Sequence, residues 1–389
     1  MMKNTKITGY HLCMLLLIIL SSCSKIDGYK SIYTAGGQIV YPGKMDSVKV
    51  FSGKNRVKIT GLFTSDPKIV KYRVFWNSRQ DSIEVPIKRT MGVDSAKVFI
   101  SNLPEGLMSF EIRTYDATGH ASIPVNVSAS VYGALYQSSL SNRGIVKTAL
   151  ELNGSVTINW SDVNADAGMQ KLEIMYFDSN AKMQDTSIIS APTELTTSLP
   201  SFQQGSYFSY NASFLPNPTA IDTFYVAYTN ADNLYFINSG NPFKAASNWY
   251  RWGILAGWTT SASVINHWGN GGWCWDQGGC LVMEMGWGGT PSIYNGKIYQ
   301  TLTLSPGTYT YQIVIGRDES IDPVYIVAAA GATLPDVVDI SGSLGYSKFQ
   351  NLSFQFTVAQ TQQVSIGFLA TMTTWNQYWV VKSVKLSKK

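Results

Sequence analysis

The sequence contains little cysteine, histidine or charge. Among its 389 residues there are four cysteines and three histidines, and charged residues make up 14% of the chain. So little histidine argues against a Ser-His catalytic triad or a histidine zinc site. Lys and Arg form no cluster and the formal net charge is only +5. The composition therefore also argues against nucleic acid as a partner.

Long apolar runs are also missing, apart from a short one near the start. Residues 12–20 read LCMLLLIIL, which is too short to span a bilayer. Lys3 and Lys6 precede the run and small residues follow it, which is typical of a signal peptide at 1–22. The run ends in LSSC and so resembles a lipobox, where bacteria cleave before a cysteine that receives lipid. We expect Cys23 to be lipidated and to be the only membrane link; the alternative is an ordinary signal peptide.

Helical signals are weak, because extended runs of Ala, Glu, Lys and Leu at helical spacing are absent. Aromatic residues instead make up 13% of the chain, and Gly, Ser, Thr and Asn abound. KYRVFW (71–76) and NLPEGLMSFEIRTYD (102–116) have counterparts about a hundred residues later. These are KLEIMYF (171–177) and SLPSFQQGSYFSYNASF (198–214). Apolar and polar residues alternate in each copy, which predicts two repeats of short strands.

The last segment, from about residue 230, differs from the two repeats in composition. Nine of the eleven tryptophans lie between Trp249 and Trp379. Residues 295–316 read NGKIYQTLTLSPGTYTYQIVIG, and the alternation on each side of SPG predicts an antiparallel hairpin. Residues 362–370 and 378–386 predict two further strands.

We therefore predict an all-β chain with two immunoglobulin/fibronectin-III-like sandwiches followed by a jelly-roll (galactose-binding-like) β-sandwich. After a lipid anchor and linker at 23–40, the sandwiches are expected at 41–133, 134–229 and 230–389. The first repeat resembles a fibronectin type III module, which suggests that both repeats act as spacers.

The whole arrangement resembles the surface lipoproteins of Bacteroidetes polysaccharide-utilisation loci. Residues 30–59, NLPEG and residues 131–145 look like a domain of unknown function that is common in such lipoproteins. Residues 295–316 resemble a second uncharacterised domain often found behind it. The resemblance implies an outer-membrane, lipid-anchored protein at the cell surface that captures poly- or oligosaccharide, with importer components as further partners. Ser24 and Lys25 lack the acidic run that accompanies surface export in these bacteria, so the leaflet orientation stays open.

Residues 266–280 read NHWGNGGWCWDQGGC, and five glycines exclude a core strand. We expect a surface loop whose tryptophans stack on sugar rings while amides and carboxylates bind the hydroxyls. The candidate carbohydrate-binding residues here are Trp268, Asn270, Trp273, Trp275 and Asp276. In an extended chain Trp273 and Trp275 project to one side. The alternative is that the tryptophans pack as a plug on the sandwich.

The same loop holds two cysteines, Cys274 and Cys280, that would close a seven-residue ring in an oxidising compartment. We expect a disulfide there, which would fix the shape of the loop more than it stabilises the fold.

A second aromatic group lies in TMTTWNQYWVV (371–381). Trp375 and Asn376 occupy the predicted connection between the last two strands and are further candidates for sugar contact. We expect Trp375 to approach the Trp273 loop and Trp379 to be core.

The stretch SNWYRWGILAGWTT (247–260) is expected to pack in the core or seal the domain's edge. Its three tryptophans are Trp249, Trp252 and Trp258, and Arg251 is a candidate cation–π partner of one of them.

Catalysis is not expected. A glycosidase needs two carboxylates across a cleft, and the last segment has few. Glu284 falls in a predicted strand, and Asp318, Glu319 and Asp322 fall in one loop, GRDESIDP. That loop predicts a solvated turn or a structural Ca²⁺ site, and no other cofactor is expected.

The favoured function is glycan binding through exposed tryptophans. The alternative is a structural or adhesive surface lipoprotein that binds a protein partner through the same aromatic loops. Stacking on a neutral glycan would respond little to salt.

Overall fold

The computed structural model describes residues 41–64, 66–163, 168–189 and 194–389, without the side chain of Ile189. The predicted signal peptide, the lipidation of Cys23 and the linker up to residue 40 lie outside the described residues. The chain forms two compact units, one that ends at Gly133 and one that begins at Ala134. No helix in the described ranges has the length and apolarity needed to cross a membrane.

The first unit is a two-sheet sandwich of seven strands. They are β1 (Asp46–Ser52), β2 (Arg56–Phe63), β3 (Ile69–Trp76), β4 (Asp81–Pro86), β5 (Asp94–Ser101), β6 (Gly106–Asp116) and β7 (Val125–Val131). One sheet has the order β1-β2-β5 and the other β4-β3-β6-β7, and neighbouring strands are antiparallel. Buried and half-buried residues alternate along β2, since one face of the strand lies on the core.

The second unit begins with a short helix, α1 (Ala134–Ser139), and a second sandwich of the same kind. Its strands are β8 (Ile145–Leu150), β9 (Val156–Trp160), β10 (Met169–Phe177), β11 (Met183–Ile189), β12 (Thr196–Leu199), β13 (Phe208–Phe214), β14 (Phe224–Tyr225) and β15 (Thr229–Asn230). One sheet is β12-β9-β8; the other is β11-β10-β13, with β14 and β15 both paired to β13. Trp160, Ile174 and Phe208 are buried between the sheets.

The remainder of the second unit is a larger sandwich. Its strands are β16 (Ala245–Trp249), β17 (Trp252–Leu255), β18 (Thr259–Thr260), β19 (Gly272–Cys274), β20 (Cys280–Met285), β21 (Ile293–Leu304), β22 (Gly307–Glu319), β23 (Val324–Ala330), β24 (Gly345–Lys348), β25 (Ser353–Val358), β26 (Gln362–Met372) and β27 (Gln377–Lys388). Single 3-10 turns lie at Asp276–Gly278, Trp287–Gly289, Val337–Gly342 and Phe349–Asn351. The sheet orders are β16-β17-β19-β20-β27-β22-β25 and β18-β21-β26-β23-β24.

The two sheets of this C-terminal sandwich face each other across one apolar core. Leu281, Met283 and Trp379 of the seven-stranded sheet meet Ile298 and Phe368 of the five-stranded sheet there. Residues that alternate with these face outward from the seven-stranded sheet. They form a second small buried cluster that includes Trp252, Cys274, Cys280, Val282, Tyr378 and Val380.

The segment between the second and third sandwiches joins both cores. Leu234 and Ile237 pack against the core of the second sandwich, whereas Tyr235 and Phe236 belong to the core of the third. The Ile237 N–H also donates to Oε1 of Gln300 at 3.2 Å. The two sandwiches of this unit are therefore packed on a shared segment.

The predicted all-β fold class and the immunoglobulin/fibronectin-III-like sandwiches are confirmed. The predicted hairpin at 295–316 is wrong, because β21 lies in the five-stranded sheet and β22 in the seven-stranded sheet. The apolar faces of β21 and β22 meet across the core. The alternation of apolar and polar residues is the same whether two strands are hydrogen-bonded neighbours or lie in opposite sheets. The galactose-binding-like identity of the third sandwich stays a prediction.

Candidate functional site

The C-terminal sandwich carries a group of aromatic side chains that are more than half exposed. They are Trp249, Tyr250, Trp268, Trp275, Trp287, Tyr294 and Trp375. Trp252, Trp258, Trp273 and Trp379 are buried in the same sandwich. The core therefore has its own tryptophans, and the exposed ones are additional to it.

Trp273 is a correction to the sequence prediction. Its ring is 8% exposed and lies in the main core, and its indole N–H donates to the Phe243 carbonyl at 2.8 Å. Trp275 is exposed because the chain leaves the extended conformation there, with φ −80° and ψ −6°. The two rings therefore do not share a side, and Trp273 cannot contact a ligand in this fold.

Trp268 lies at the tip of a two-residue turn. His267 and Asn270 exchange backbone hydrogen bonds of 3.0 and 2.9 Å, and Trp268 and Gly269 between them have φ of +52° and +84°. Positive φ at both central positions is typical of type I′ hairpin turns, in which glycine and asparagine are favoured. A tryptophan there carries backbone strain and presents an indole that is 79% exposed. Asn270 is half-buried at the base of this turn.

Arg251 holds two carboxylates on the outer side of the seven-stranded sheet. Its Nη2 lies 2.7 Å from Oδ2 of Asp276 and 3.1 Å from Oε2 of Glu284. The Tyr378 hydroxyl also donates to Oδ2 of Asp276 at 2.9 Å. Arg251 further lies 4.6 Å above the Trp252 ring, which confirms the predicted cation–π contact. We call Arg251, Asp276, Glu284 and Tyr378 the arginine cluster.

The electrostatics of the arginine cluster follow from burial and pairing. Burial raises the pKa of Glu284 above its ordinary value, although Arg251 opposes the shift. Burial also opposes ionisation of Asp276, but hydrogen bonds from Arg251 and Tyr378 outweigh it and lower the pKa of Asp276. Both carboxylates are bridged by one guanidinium, as in a structural ion-pair network. Asp276 therefore stabilises the turn after β19. The sequence had predicted instead that its carboxylate is free to bind sugar hydroxyls.

His267 lies over the same outer surface. Its ring stacks on Trp252 with 3.6 Å between centroids, and it is 3% exposed. Burial, followed by the positive charge of Arg251, lowers the pKa of His267 to about 4. The imidazole is therefore neutral near pH 7. Its ring packs on Trp252 and so holds the first residue of the Trp268 turn in place.

The predicted disulfide between Cys274 and Cys280 is absent, and both cysteines are buried thiols. They face each other directly across β19 and β20, and the Cys280 Sγ donates to the Cys274 carbonyl at 3.4 Å. Directly opposed residues have Cβ atoms about 4.5–5.5 Å apart, wider than the ~3.8 Å typical of a disulfide. The Cys280 thiol, followed by burial, raises the pKa of Cys274 well above its ordinary value.

Trp375 lies at the other end of β20 from Trp275. Met285 pairs with Gln377, whereas Cys280 pairs with Cys274 beside the Trp275 turn. The ends of β20 are about 17 Å apart, at about 3.4 Å per residue. We call these the Cys280 end and the Met285 end. Trp375 therefore does not approach the Trp275 part of the loop at 266–280. The part that carries Trp268 lies towards the Met285 end, where Asn266 Nδ2 donates to the carbonyls of Glu284 and Pro291 at 3.4 and 3.1 Å.

At the Met285 end the structure places Trp287 beside Trp375. The chain continues past the Met285–Gln377 pair to Gly286 and Asn376, and a Cβ on Gly286 would lie 2.5 Å from the Asn376 nitrogen. Asn376, with φ of +60°, thus shapes the turn next to Trp375. Sequence analysis missed Trp287. Its signal was GWGG at 286–289, a tryptophan among glycines like those of 266–280.

The loop GRDESIDP does not fit a Ca²⁺ site. Among the described residues no group of three or more His, Cys, Asp or Glu side chains is placed to hold a metal ion. Asp318 accepts hydrogen bonds from Ser320, and Glu319 pairs with Arg317. Asp322 accepts from Thr373, Thr374 and Gln377 instead.

Other tryptophans behave in part as predicted. Trp379 is fully buried, and Trp252 and Trp258 are also buried, as expected. Trp249 is exposed at the turn of the β16–β17 edge hairpin, so the expectation that it packs in the core is wrong. β16 has only one neighbouring strand, so nothing covers this ring.

Comparison with solved structures finds fibronectin type III segments at low identity. A segment of two such domains from chicken tenascin is 14% identical, covers 49% of this chain and 98% of its own, and has a TM-score of 0.21. The FN1–FN3 domains of chicken CNTN1 are 12% identical, cover 51% of this chain and 69% of their own, and have a TM-score of 0.26. These likenesses are too weak to carry an argument. No curated protein matches the chain.

Two family profiles match the chain. Residues 237–367 match a domain of unknown function, DUF5013. Residues 23–224 match another domain of unknown function, DUF4998, which spans more than half of the chain. The protein therefore belongs to the DUF4998 family.

Proposed function

We propose that the protein is a cell-surface glycan-binding lipoprotein that captures poly- or oligosaccharide for a polysaccharide-utilisation system. The observation that carries this proposal is the set of four exposed tryptophans that lie outside the strands of the C-terminal sandwich, Trp268, Trp275, Trp287 and Trp375; a fifth, Trp249, ends β16. An indole left in water forgoes the stabilisation of burial, and clustered exposed aromatic side chains mark binding surfaces. A flat apolar ring matches the C–H face of a pyranose.

The turns that carry these rings support binding because they are ordered before a ligand arrives. Trp268 is supported by the stacked pair of His267 and Trp252, and Trp275 by the salt bridges of Arg251. Rings on fixed turns lose little conformational entropy on binding. In this proposal the third sandwich is a galactose-binding-like jelly roll, whose strands alternate between two sheets.

A binding role is favoured over catalysis by the arginine cluster. Arg251 pairs with both Asp276 and Glu284, and Asp322, beneath the Trp375 turn, is occupied by the N–H groups of Thr373 and Thr374. A glycosidase needs one free acid and one free base or nucleophile across a cleft. The prediction that the chain is not an enzyme stays a prediction.

Attachment to the outer membrane is the second part of the proposal. It rests on LSSC at residues 20–23 and on a lipid at Cys23, with importer components as partners. Incorporation of a palmitate analogue into the wild-type protein, and its loss in Cys23→Ser, tests the anchor. Protease digestion of intact cells then tests surface exposure.

The functional test is affinity electrophoresis of the chain from Ser24 to Lys389 in gels that contain plant, host or microbial polysaccharides. We expect one class of polysaccharide to slow the wild type and not the variant in which Trp268, Trp275, Trp287 and Trp375 are all alanine. Circular dichroism of that variant checks its fold. If no polysaccharide slows the wild type, or the variant is slowed equally, the proposal is wrong and the protein-partner alternative becomes the better one.

A further inference from the structure

The Met285 end of the sandwich carries two exposed tryptophans on adjoining turns. Beyond the Met285–Gln377 pair, Gly286 adopts φ of +96° and approaches the Asn376 backbone too closely for any side chain. The next residues outward are Trp287 and Trp375, which are 62% and 59% exposed. Adjacent strands lie about 5 Å apart, so the two residues leave neighbouring backbone segments at the same level.

The Trp375 turn is anchored from below by Asp322. Its carboxylate accepts the backbone N–H groups of Thr373 at 2.6 Å and Thr374 at 2.8 Å, and Nε2 of Gln377 at 2.7 Å. Gln377 is fully buried, and its Oε1 accepts the N–H groups of Ile321 and Asp322 at 3.1 and 3.0 Å. Four of these five bonds hold backbone N–H groups, so the turn is ordered before any ligand arrives.

The Trp287 turn has its own anchor in Thr290. The Thr290 hydroxyl accepts the Gly286 N–H at 2.9 Å and donates to the Trp287 carbonyl at 3.2 Å. Both indoles are therefore presented by turns whose backbones are tied to buried groups, whereas the rings themselves stay in water.

Charge distinguishes this end from the other. The two turns read GWGGTP (286–291) and TTWN (373–376) and contain no charged residue. The carboxylate beneath them, Asp322, is occupied by its donors. At the Cys280 end, by contrast, Arg251 and Asp276 lie directly below Trp275. The neutrality belongs to the two turns themselves: on the neighbouring strand Asp318 and Glu319 lie opposite Trp379 and Tyr378, and Glu319 is paired with Arg317.

We propose that Trp287 and Trp375 form a binding site for a neutral glycan chain of at least two sugar residues, separate from the Trp275 turn at the Cys280 end. The inference rests on the proposed function and names its ligand class and location. Two indoles on adjoining turns engage two sugar faces. Uronic acids and sulfated sugars gain nothing there, because the turns supply no cation to compensate their desolvation.

The test compares two double variants of the chain from Ser24 to Lys389, Trp287→Ala/Trp375→Ala and, at the Cys280 end, Trp249→Ala/Trp275→Ala. Neutral probes are galactomannan, β-glucan and starch; acidic probes are polygalacturonate and chondroitin sulfate. We expect binding to a neutral probe to weaken by about tenfold or more in the first variant, the loss seen when aromatic anchors are truncated. Trp287→Phe/Trp375→Phe should restore part of it, which a merely structural defect would not allow.

Three outcomes overturn the inference. Neutral-probe binding that survives Trp287→Ala/Trp375→Ala but is lost in Trp249→Ala/Trp275→Ala moves the site to the Cys280 end and leaves the proposed function intact. Wild-type binding to acidic probes alone contradicts the neutral ligand class. Failure of every probe to bind the wild type overturns the proposed function together with this site.

Discussion

Trp273 and Trp268 lie five positions apart and have opposite surroundings. Trp273 fills the core and donates its indole N–H to Phe243, whereas Trp268 stands on a strained turn in water. The same residue type therefore contributes to folding at one position and is free for binding at the other.

Alanine substitution separates these two roles. We expect Trp273→Ala to cost about 3–5 kcal/mol, because it leaves a cavity in the core and an unpaired Phe243 carbonyl. Trp268→Ala, the matched control, should change stability by about 0.5 kcal/mol or less. Urea unfolding of both variants measures the difference. Equal costs would mean that Trp268 is packed and is not a ligand-facing ring.

At the scale of secondary structure, the connections between strands determine which rings are exposed. The turn between β26 and β27 carries Trp375 and is held by Asp322. Burial works against ionisation of Asp322, but hydrogen bonds from Thr374, Gln377 and Thr373 outweigh it and lower its pKa to about 2. Ionised Asp322 therefore stabilises the folded turn.

Asp322→Asn tests this anchor. The asparagine side chain places an NH₂ donor where a carboxylate oxygen accepted backbone N–H groups. We therefore expect the free energy of unfolding to fall by about 1–3 kcal/mol at pH 6. The folded pKa lies below the ordinary value of 3.8. The contribution is therefore present above pH 3.8 and is lost as the pH falls through about 2. The gap in unfolding free energy between wild type and variant should shrink between pH 4 and pH 2.5.

Asp339→Asn is the matched control, since Asp339 is an exposed carboxylate in the same sandwich. Its effect on the free energy of unfolding at pH 6 should be small. A gap for Asp322→Asn that stays constant down to pH 2.5 would show that the Asp322 charge does not stabilise the turn.

The alternation of apolar and polar residues predicted β21 and β22 from the sequence. It did not predict which strands lie beside them in the sheets. Ile298 and Leu302 face the core from one sheet, and Tyr309 and Tyr311 face it from the other. Period-two patterning reports which face of a strand is buried and says nothing about which strand lies beside it. The turn at SPG therefore fits both a hairpin and a crossing between sheets.

At the scale of the whole molecule, the second unit contains two sandwiches on one shared segment. Leu234 and Ile237 contribute to the core of the second sandwich, and Tyr235 and Phe236 to the core of the third. The Lys244 ammonium also pairs with Glu151 at 2.5 Å across the junction. The two sandwiches should therefore support each other.

We expect a fragment of residues 134–389 to unfold in one cooperative transition. A fragment of residues 230–389 should melt at a lower temperature, because Leu234 and Ile237 lose the apolar surface that they cover. Calorimetry of the two fragments makes the comparison. A shorter fragment as stable as the longer one would show that the shared segment adds nothing to the third sandwich.

The sequence by itself determined the all-β class, the two repeats and the concentration of tryptophan in the last segment. These features depend on local patterns: alternation along each strand, turn residues between strands, and composition. Trp268, Trp275 and Trp375 were also found from the sequence, because glycine and asparagine beside a tryptophan favour turns. The same rule misplaced Trp273, which lies in β19 and in the core.

Only the tertiary structure decided which tryptophans are buried and which lie together. Trp273 and Trp275 are two residues apart, but the backbone bends at Trp275 and places the first in the core and the second in water. Trp287 and Trp375 are distant in sequence and meet because β20 and β27 are neighbours with Met285 opposite Gln377. Strand partners and register follow from how the faces pack, which no short stretch of sequence contains.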